Sequence, residues 1–392
     1  MTAQIKLKHS GGNGVIIEAP ASNPASDKTI TLPSTESGVF ATKDSANSLQ
    51  NVTGINSGQL GNRRLNINGA MLVNQRGNET GVNSNVYSAC DRYNIYVNKG
   101  TYTVSQSTDA PNGFSKSLKL ACTSAESLGA DGFVAITYRM EGLDCTPFQA
   151  GTPDAKQITL SFWIRSNLTG QFQVNFENEN NAHSSGADGI NSRAVSILSA
   201  NTWEKKVVTM PGDTAVALDT TTTAKQFCFD IFLSAGTNYT NNGTLKQTWQ
   251  GLDNNDRGAA CTGFNLASST NNFVEITGVQ LEIGDHATEF EHRSYGQELA
   301  LCQRYCQISR VSVYENGNGT NHALSCNTPL FAELRASPTA TLVSATHTTN
   351  VDTSTYIPSA VGVDPRGFVI RVITLNNNAT DYRSLWKFEA EL

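Results

Sequence analysis

Two aromatic residues stand in the most polar stretch of the chain, Tyr239 in GTNYTNNG and Trp249 in LKQTWQGLDNNDRG. Rings set among amides and carboxylates fit saccharide recognition, because a ring takes the apolar face of a sugar while the polar side chains take its hydroxyls. Trp249 and Tyr239 are therefore the candidate glycan-binding residues, against the plainer alternative of loop rings packed on their own domain. Trp163 and Trp203 occur within strand-like runs and are expected in the core. The densest acidic group is Glu282, Glu289 and Glu291. Glycoside hydrolysis asks only for two carboxylates at a suitable separation in a groove, but these three have Arg293, Arg304 or a strand edge to pair with. The histidines offer no catalytic pattern. His183, His286, His292, His322 and His347 are isolated, His9 lies near the start, and there is neither a GxSxG elbow nor an HExxH pair. The chain is read as non-enzymatic.

The cysteines, Cys90, Cys122, Cys145, Cys228, Cys261, Cys302, Cys306 and Cys326, show no CxxC spacing and sit mostly in apolar, strand-like contexts. Buried free thiols are expected rather than disulfides. Cys302 and Cys306 lie one helical turn apart, but a metal would need further ligands.

Only 16% of the 392 residues are charged, while Asn, Thr, Ser and Gly abound. That balance favours a β-rich protein with polar turns and opposes general disorder. A net charge of −6 without a basic cluster excludes nucleic acid as the expected partner. No apolar span reaches about 18 residues, so no membrane insertion is expected. MTAQIKLKHSGGNGV lacks the apolar core of a secretory signal, so retention in a cytosol until release is expected.

The elements that must position these residues are mostly strands. Short strand-like runs divided by Asn- and Gly-rich turns fill 65–293: YNIYVNK, SLKLACT, FVAITYRM, QITLSFWIRS, FQVNFEN, WEKKVVTM, QFCFDIFLS and FVEITGVQLEI. This is the spacing of a two-sheet sandwich. Residues 178–194 and 235–272 read as surface loops, where binding tends to sit. In ITGVQLEIG, alternation sends Ile276, Gly278 and Gln280 to one side and Thr277, Val279, Leu281 and Ile283 to the other, with Gly284 and Asp285 ending the strand. One helix is predicted near 294–308 within a 294–309 connector. Ser294 is its N-cap, Gln297 the capping-box partner, and Tyr295, Leu299, Cys302 and Cys306 form an apolar stripe. Residues 310–392 form a small C-terminal β domain with strand-like PLFAELRASPTATLV, FVIRVITLN and SLWKFEAEL. At the other end, 1–45 offers three β-like pieces, IKLKHSGG, NGVIIEAP and KTITLPSTESGVFAT, followed by a polar linker over 46–64. Three pieces cannot close a core, so the arm needs strands from symmetry mates and a homotrimer is expected.

The passage GVQLEIGDHATEFEHRSYGQELALCQRYC at 278–306 resembles a "GVQLE.G..AT.FE.R.....EL..CQRYY" segment of bacteriophage virion proteins, especially fibre and appendage proteins of short-tailed marine phages. Cys306 replaces the final Tyr of that pattern. LNINGAMLVNQRG, CDRY at Cys90–Tyr93, LSFWIRSNLTG and NTWEKKVVTMPGD are similar to further motifs of the same proteins, in the same order. The arm resembles their "G.I.L.AP...S..T.TLP...G.L.T" start, and LRASPTATLV their "MRA.P.VT" strand. The resemblance implies a mostly β fold, a carbohydrate-binding-module-like jelly roll. It implies a trimeric tail fibre or appendage in the virion, assembled in the host cytoplasm. The arm would hold other virion proteins, and the body would attach to host-surface polysaccharide. It also implies a buried Asp91–Arg92 pair. Glycan-binding jelly rolls often carry a structural Ca²⁺, for which Asp91 and Glu282 would be the ligands, although neither lies in a recognisable calcium loop; no other cofactor is implied. Three rivals stand beside this reading. A head fibre or capsid-decoration protein needs the same modules, a polysaccharide-degrading spike would carry β-helix repeats, and a free binding module of a secreted enzyme would need a signal peptide.

Overall fold

A computed structural model of the protein describes residues 4–8, 14–18, 42–43, 49–50, 61–183, 187–240, 243–316, 319–351 and 359–392. The chain divides into two units, Met1–Thr53 and Gly54–Leu392. In the first, β1 (Gln4–Lys8) and β2 (Gly14–Glu18) form an antiparallel pair, and β3 (Thr42–Lys43) pairs with β4 (Leu49–Gln50). The third expected piece of the arm and most of the expected linker lie outside the described residues.

The second unit holds a sandwich built where apolar and polar residues alternate. One sheet has seven strands in the order β16 (Gln250–Gly251), β13 (Gly189–Ile197), β12 (Gly170–Asn178), β15 (Lys225–Ala235), β10 (Phe133–Glu141), β7 (Asn94–Val97) and β6 (Val86–Tyr87). The other has six, in the order β14 (Glu204–Met210), β11 (Ile158–Ser166), β17 (Phe273–Ile283), β9 (Ser117–Ser124), β8 (Thr101–Ser107) and β5 (Glu79–Val82). The chain passes back and forth between the sheets, as in a jelly roll. Their inner faces enclose one apolar cluster that includes Leu160, Phe162 and Ile164 from one sheet and Phe172, Phe229 and Ile231 from the other. The sequence reading missed β13, which lies largely in the expected loop 178–194. GINSRAVSI is too polar to announce itself as a strand, yet it pairs with β12 over nine positions and turns Val195 and Ile197 toward the core.

In β17 the expected alternation breaks. Ile276, Val279 and Leu281 all belong to the core cluster, so the strand changes phase between them. The cause is a bulge: Ser161 faces Gln280 and Trp163 faces Thr277, leaving two residues of β17 opposite Phe162. Gly278 takes the left-handed φ of 61° that this requires.

Ser294 and Gln297 form the expected capping box at the start of α1 (Tyr295–Gln303). The helix stops short of the expected 308, because CQISRVSV alternates and pairs in full as β18 (Cys306–Glu315) against β23 (Thr380–Glu389). Leu299 and Cys302 face the core, while Tyr295 is exposed and Cys306 is a strand residue. Beyond the helix, β18, β23 and β20 (Thr339–Thr349) form one sheet, and β19 (Ala323–Pro329), β22 (Gly367–Ile373) and β21 (Ser359–Asp364) another. These two sheets enclose a second apolar cluster around Phe368, Ile370, Tyr382 and Phe388. The expected strand from 329 onward begins only at Thr339, after Pro338.

Candidate functional site

The outward face of the seven-stranded sheet carries three cross-strand rows: Ala135–Phe232–Gln173, Thr137–Asp230–Asn175 and Arg139–Cys228–Glu177. Most of these residues are polar because they face away from the core, yet all but Arg139 are as buried as the core itself. The loop between β15 and β17 closes over them. Gln173 Nε2 donates to the Asp256 carbonyl at 2.7 Å and its Oε1 accepts from Ala260 N at 2.9 Å, while Asn175 Nδ2 donates to the Arg257 carbonyl at 2.9 Å. Arg257 turns inward, with Nη1 at 2.7 Å from Glu177 Oε1 and 3.0 Å from Asp230 Oδ2. Thr137 donates to Asp230 at 2.6 Å, and Lys225 to Glu179 at 2.9 Å. Ligand atoms of Glu177, Glu179 and Cys228 lie within 4.8 Å of one another, near enough for a metal. Lys225, Arg139 and Arg257 nonetheless already face these carboxylates and Asp230. One arginine cannot fully compensate two carboxylates. Burial, followed by the repulsion of Asp230 and Glu179, raises the Glu177 pKa well above the usual carboxylate range against the pull of Arg257. Burial likewise raises the Cys228 thiol, which disfavours the thiolate a metal would need.

The two candidate sugar-binding rings belong to this region, and the structure does not bring them together. Tyr239 packs edge-on against Phe133 at 5.2 Å and beside Phe232 at 6.0 Å, in a small apolar cluster under one end of the loop. Trp249 is half-buried against the main core. Its Nε1 donates to the Pro211 carbonyl at 2.7 Å and its ring stacks on His183 at 6.3 Å. His183 in turn lies 2.7 Å from Asp213. Both rings pack on their own domain, which is the plainer of the two roles open from sequence.

Asp91 and Glu282 also stand apart. Asp91 accepts from Gln75 N at 3.1 Å, Gln75 Nε2 at 2.6 Å and Arg76 Nη1 at 3.1 Å. Glu282 accepts from Thr288 N at 2.9 Å, Thr288 Oγ1 at 2.7 Å and Gln280 Nε2 at 3.0 Å. Their oxygens face protein donors, not a shared position for calcium. Nor do Asp91 and Arg92 pair with each other: Arg92 bonds Glu391 and the Arg139 carbonyl, with its guanidinium 3.4 Å from the Tyr305 ring centre. Arg76 binds Asp91, Glu389 at 2.8 Å and Glu391 at 2.9 Å, tying the sandwich to the last strand. Arg304 grips Glu141 through two 2.7 Å bonds, and Glu298 holds Arg64 and the Asn68 amide. Burial and the neighbouring Arg293 push the Arg64 guanidinium down to about 10. Glu291 pairs with neither expected arginine; it accepts the backbone amides of Asn62 and Arg64, both at 2.8 Å.

Trp163 and Trp203, expected in the core, lie outside it. Both are half-buried on the outward side of the six-stranded sheet. The signal was present in LSFWIR: with Leu160, Phe162 and Ile164 facing inward, Trp163 and Arg165 must face outward.

No known sequence family matches the chain, and no curated protein does. Among solved structures it is similar to a putative sugar binding protein from Bacteroides thetaiotaomicron VPI-5482, with 11% identity over 56% of this chain and 100% of that one at a TM-score of 0.30. It is similar to a family 11 carbohydrate-binding module from Clostridium thermocellum, with 12% identity, 54% and 98% coverage and a TM-score of 0.26. A third similarity is to the enzymatically active domain of Bacteriophage CBA120 tailspike protein 4, at 11% identity and a TM-score of 0.28; it covers 49% of this chain and only 19% of that one. Overlaps this loose carry no site residue across.

Proposed function

We propose that this chain is a non-enzymatic structural protein of a bacteriophage particle, a homotrimeric fibre or appendage that attaches to polysaccharide on the host surface. One observation carries the reading. The residues through which the sequence resembles phage appendage proteins, among them Gln75, Arg76, Asp91, Arg92, Glu298, Arg304 and Tyr305, are committed to a single buried lattice. That lattice joins the sandwich, α1 and the last strand. Removing one partner of such a lattice leaves an uncompensated buried charge, so breaking the junction is costly. A joint between two β units that is costly to break suits a part that transmits load. Glu282 and Glu291 meanwhile act as acceptors for nearby backbone amides and side chains.

The test is incorporation into particles. Mass spectrometry of gradient-purified particles should find the chain in multiples of three per attachment position. Protein lacking residues 1–53 should stay folded, since Gly54–Leu392 has its own cores, but should no longer join particles made without the native copy. Full incorporation of the truncated chain would instead favour a head fibre or capsid-decoration protein docked through its body. Absence from particles would end the virion reading altogether.

A further inference from the structure

We infer that the outward face of the six-stranded sheet is a saccharide-binding surface, with Trp163, Trp203 and Phe114 as its rings and Asp109, Arg165 and Lys119 as its polar groups. The inference rests on the glycan-attachment reading above and places that contact away from Trp249 and Tyr239.

The bulge in β17 creates the ring platform. A Cβ added at Gly278 would lie 2.6 Å from Phe114 Cζ and 2.9 Å from Trp163 Cδ1, so both rings close on one bare patch of backbone. Phe114 continues the row to Phe290 at 4.9 Å and His292 at 5.4 Å. Trp203 flanks the other side, its Nε1 donating to Asp109 Oδ1 at 3.2 Å, and Arg165 holds the other Asp109 oxygen. These two bonds keep the Asp109 carboxyl below its usual range, and its side chain is 49% exposed. An ionised, oriented, open carboxylate beside tryptophan rings is suited to accept two neighbouring sugar hydroxyls while the rings cover the sugar's apolar face.

The second observation lies beneath the rings. Glu275 is 1% exposed, yet neither carboxylate oxygen accepts a hydrogen bond, and its nearest cations are Arg165 at 3.4 Å and Lys119 at 3.6 Å. Arg165 Nε and the buried Thr277 hydroxyl are also without hydrogen-bond partners. All these atoms belong to two adjacent rows, Arg165–Glu275–Lys119 and Lys205–Trp163–Thr277. Buried polar groups without partners are unfavourable. A polyhydroxylated ligand that shifts Lys119 and Arg165 would supply the missing partners. A polyphosphate would meet Asp109 and Glu275 head-on, which favours pyranose rings over nucleic acid.

The experiment is affinity electrophoresis of the full chain in native gels containing mixed-linkage β-glucan, xylan, mannan, dextran or alginate. At least one polysaccharide should retard the wild type, and Trp163→Ala and Trp203→Ala should each weaken that retardation roughly tenfold. Asp109→Asn, at an open position, should weaken it several-fold with an unchanged melting temperature, which guards against a folding defect in the tryptophan variants. Retardation that all three variants retain would overturn the inference and leave the glycan reading intact. Retardation by alginate alone, lost in about 0.5 M salt, would mark ion exchange and overturn it too. No retardation in any gel would overturn both.

Discussion

The two outward faces of the sandwich start from the same pleated backbone and end in opposite states. On the seven-stranded side, Asp230 and Glu177 lie beneath a loop whose Arg257 faces both and whose backbone takes Gln173 and Asn175, although Glu177 Oε1, Glu179 Oε2 and Arg139 Nε keep no hydrogen-bond partner. On the six-stranded side, the segment between β8 and β9 sets Asp109 on Arg165 and Phe114 beside Trp163 at Gly278 but leaves both Trp163 and Arg165 half-buried, and Glu275, Thr277 and Arg165 keep unmatched atoms. A charged row becomes structural when a covering segment supplies counter-charge and hydrogen bonds. On the six-stranded face the cover is partial, and the half-exposed rings and Asp109 are where we place the ligand.

The sharpest way to break the contrast is to remove the pin of the sealed face. Arg257→Ala leaves Glu177 and Asp230 facing each other without their shared cation, and should lower stability by roughly 3–5 kcal/mol in urea titration. A loss below about 1 kcal/mol would show that the loop is held by its backbone contacts alone. On the open face, Gly278→Ala should cost on the order of 2 kcal/mol. The new methyl must enter a left-handed backbone position and displace Phe114 and Trp163. An unchanged melting temperature would mean that the rings move freely and form no platform.

The difference between the faces was partly legible in the sequence. Alternation in QITLSFWIRS and QFCFDIFLS placed the strands, and Ser294 with Gln297 placed the start of the helix. The capping box is local chemistry, so four residues suffice to read it. Three things were not local. β13 is a strand because β12 needs a partner, not because GINSRAVSI favours one. The phase change at Gly278 depends on Phe162 across the sheet. Asp91 chooses Arg76 over its neighbour Arg92 because the last strand brings Glu391 to Arg92. Trp249 shows the limit of composition: the same amide-rich loop can present a ring to solvent or fold it onto His183, and only the covering contacts decide.

A pH series sharpens the account of the sealed face. Burial raises the Glu177 pKa, so the folded chain keeps a proton that the unfolded chain releases near the ordinary value of about 4.3. Stability linked to this group is fully present below that value and is lost as pH rises toward the folded pKa. Glu177→Gln imitates the protonated form and cannot ionise. Wild type and variant should therefore melt together near about pH 4, while the variant melts higher near about pH 8. A variant that melts lower at the higher pH would show that Glu177 is ionised and that its contact with Arg257 outweighs desolvation.

The smallest effect belongs to the open face. Thr277 is fully buried and its hydroxyl has no hydrogen-bond partner, whereas the Thr137 hydroxyl on the sealed face donates to Asp230 at 2.6 Å. Valine replaces threonine with nearly the same shape and removes the polar atom. Thr277→Val should leave stability unchanged or raise it by up to about 1 kcal/mol, because an unmatched hydroxyl is eliminated and no bond is lost. Thr137→Val should lower it by at least as much, since Asp230 then loses a donor. Differential scanning calorimetry of the two variants side by side reads the sign directly. If Thr277→Val is the more damaging of the two, the hydroxyl is already bonded, and the open face has no deficit for a sugar to fill.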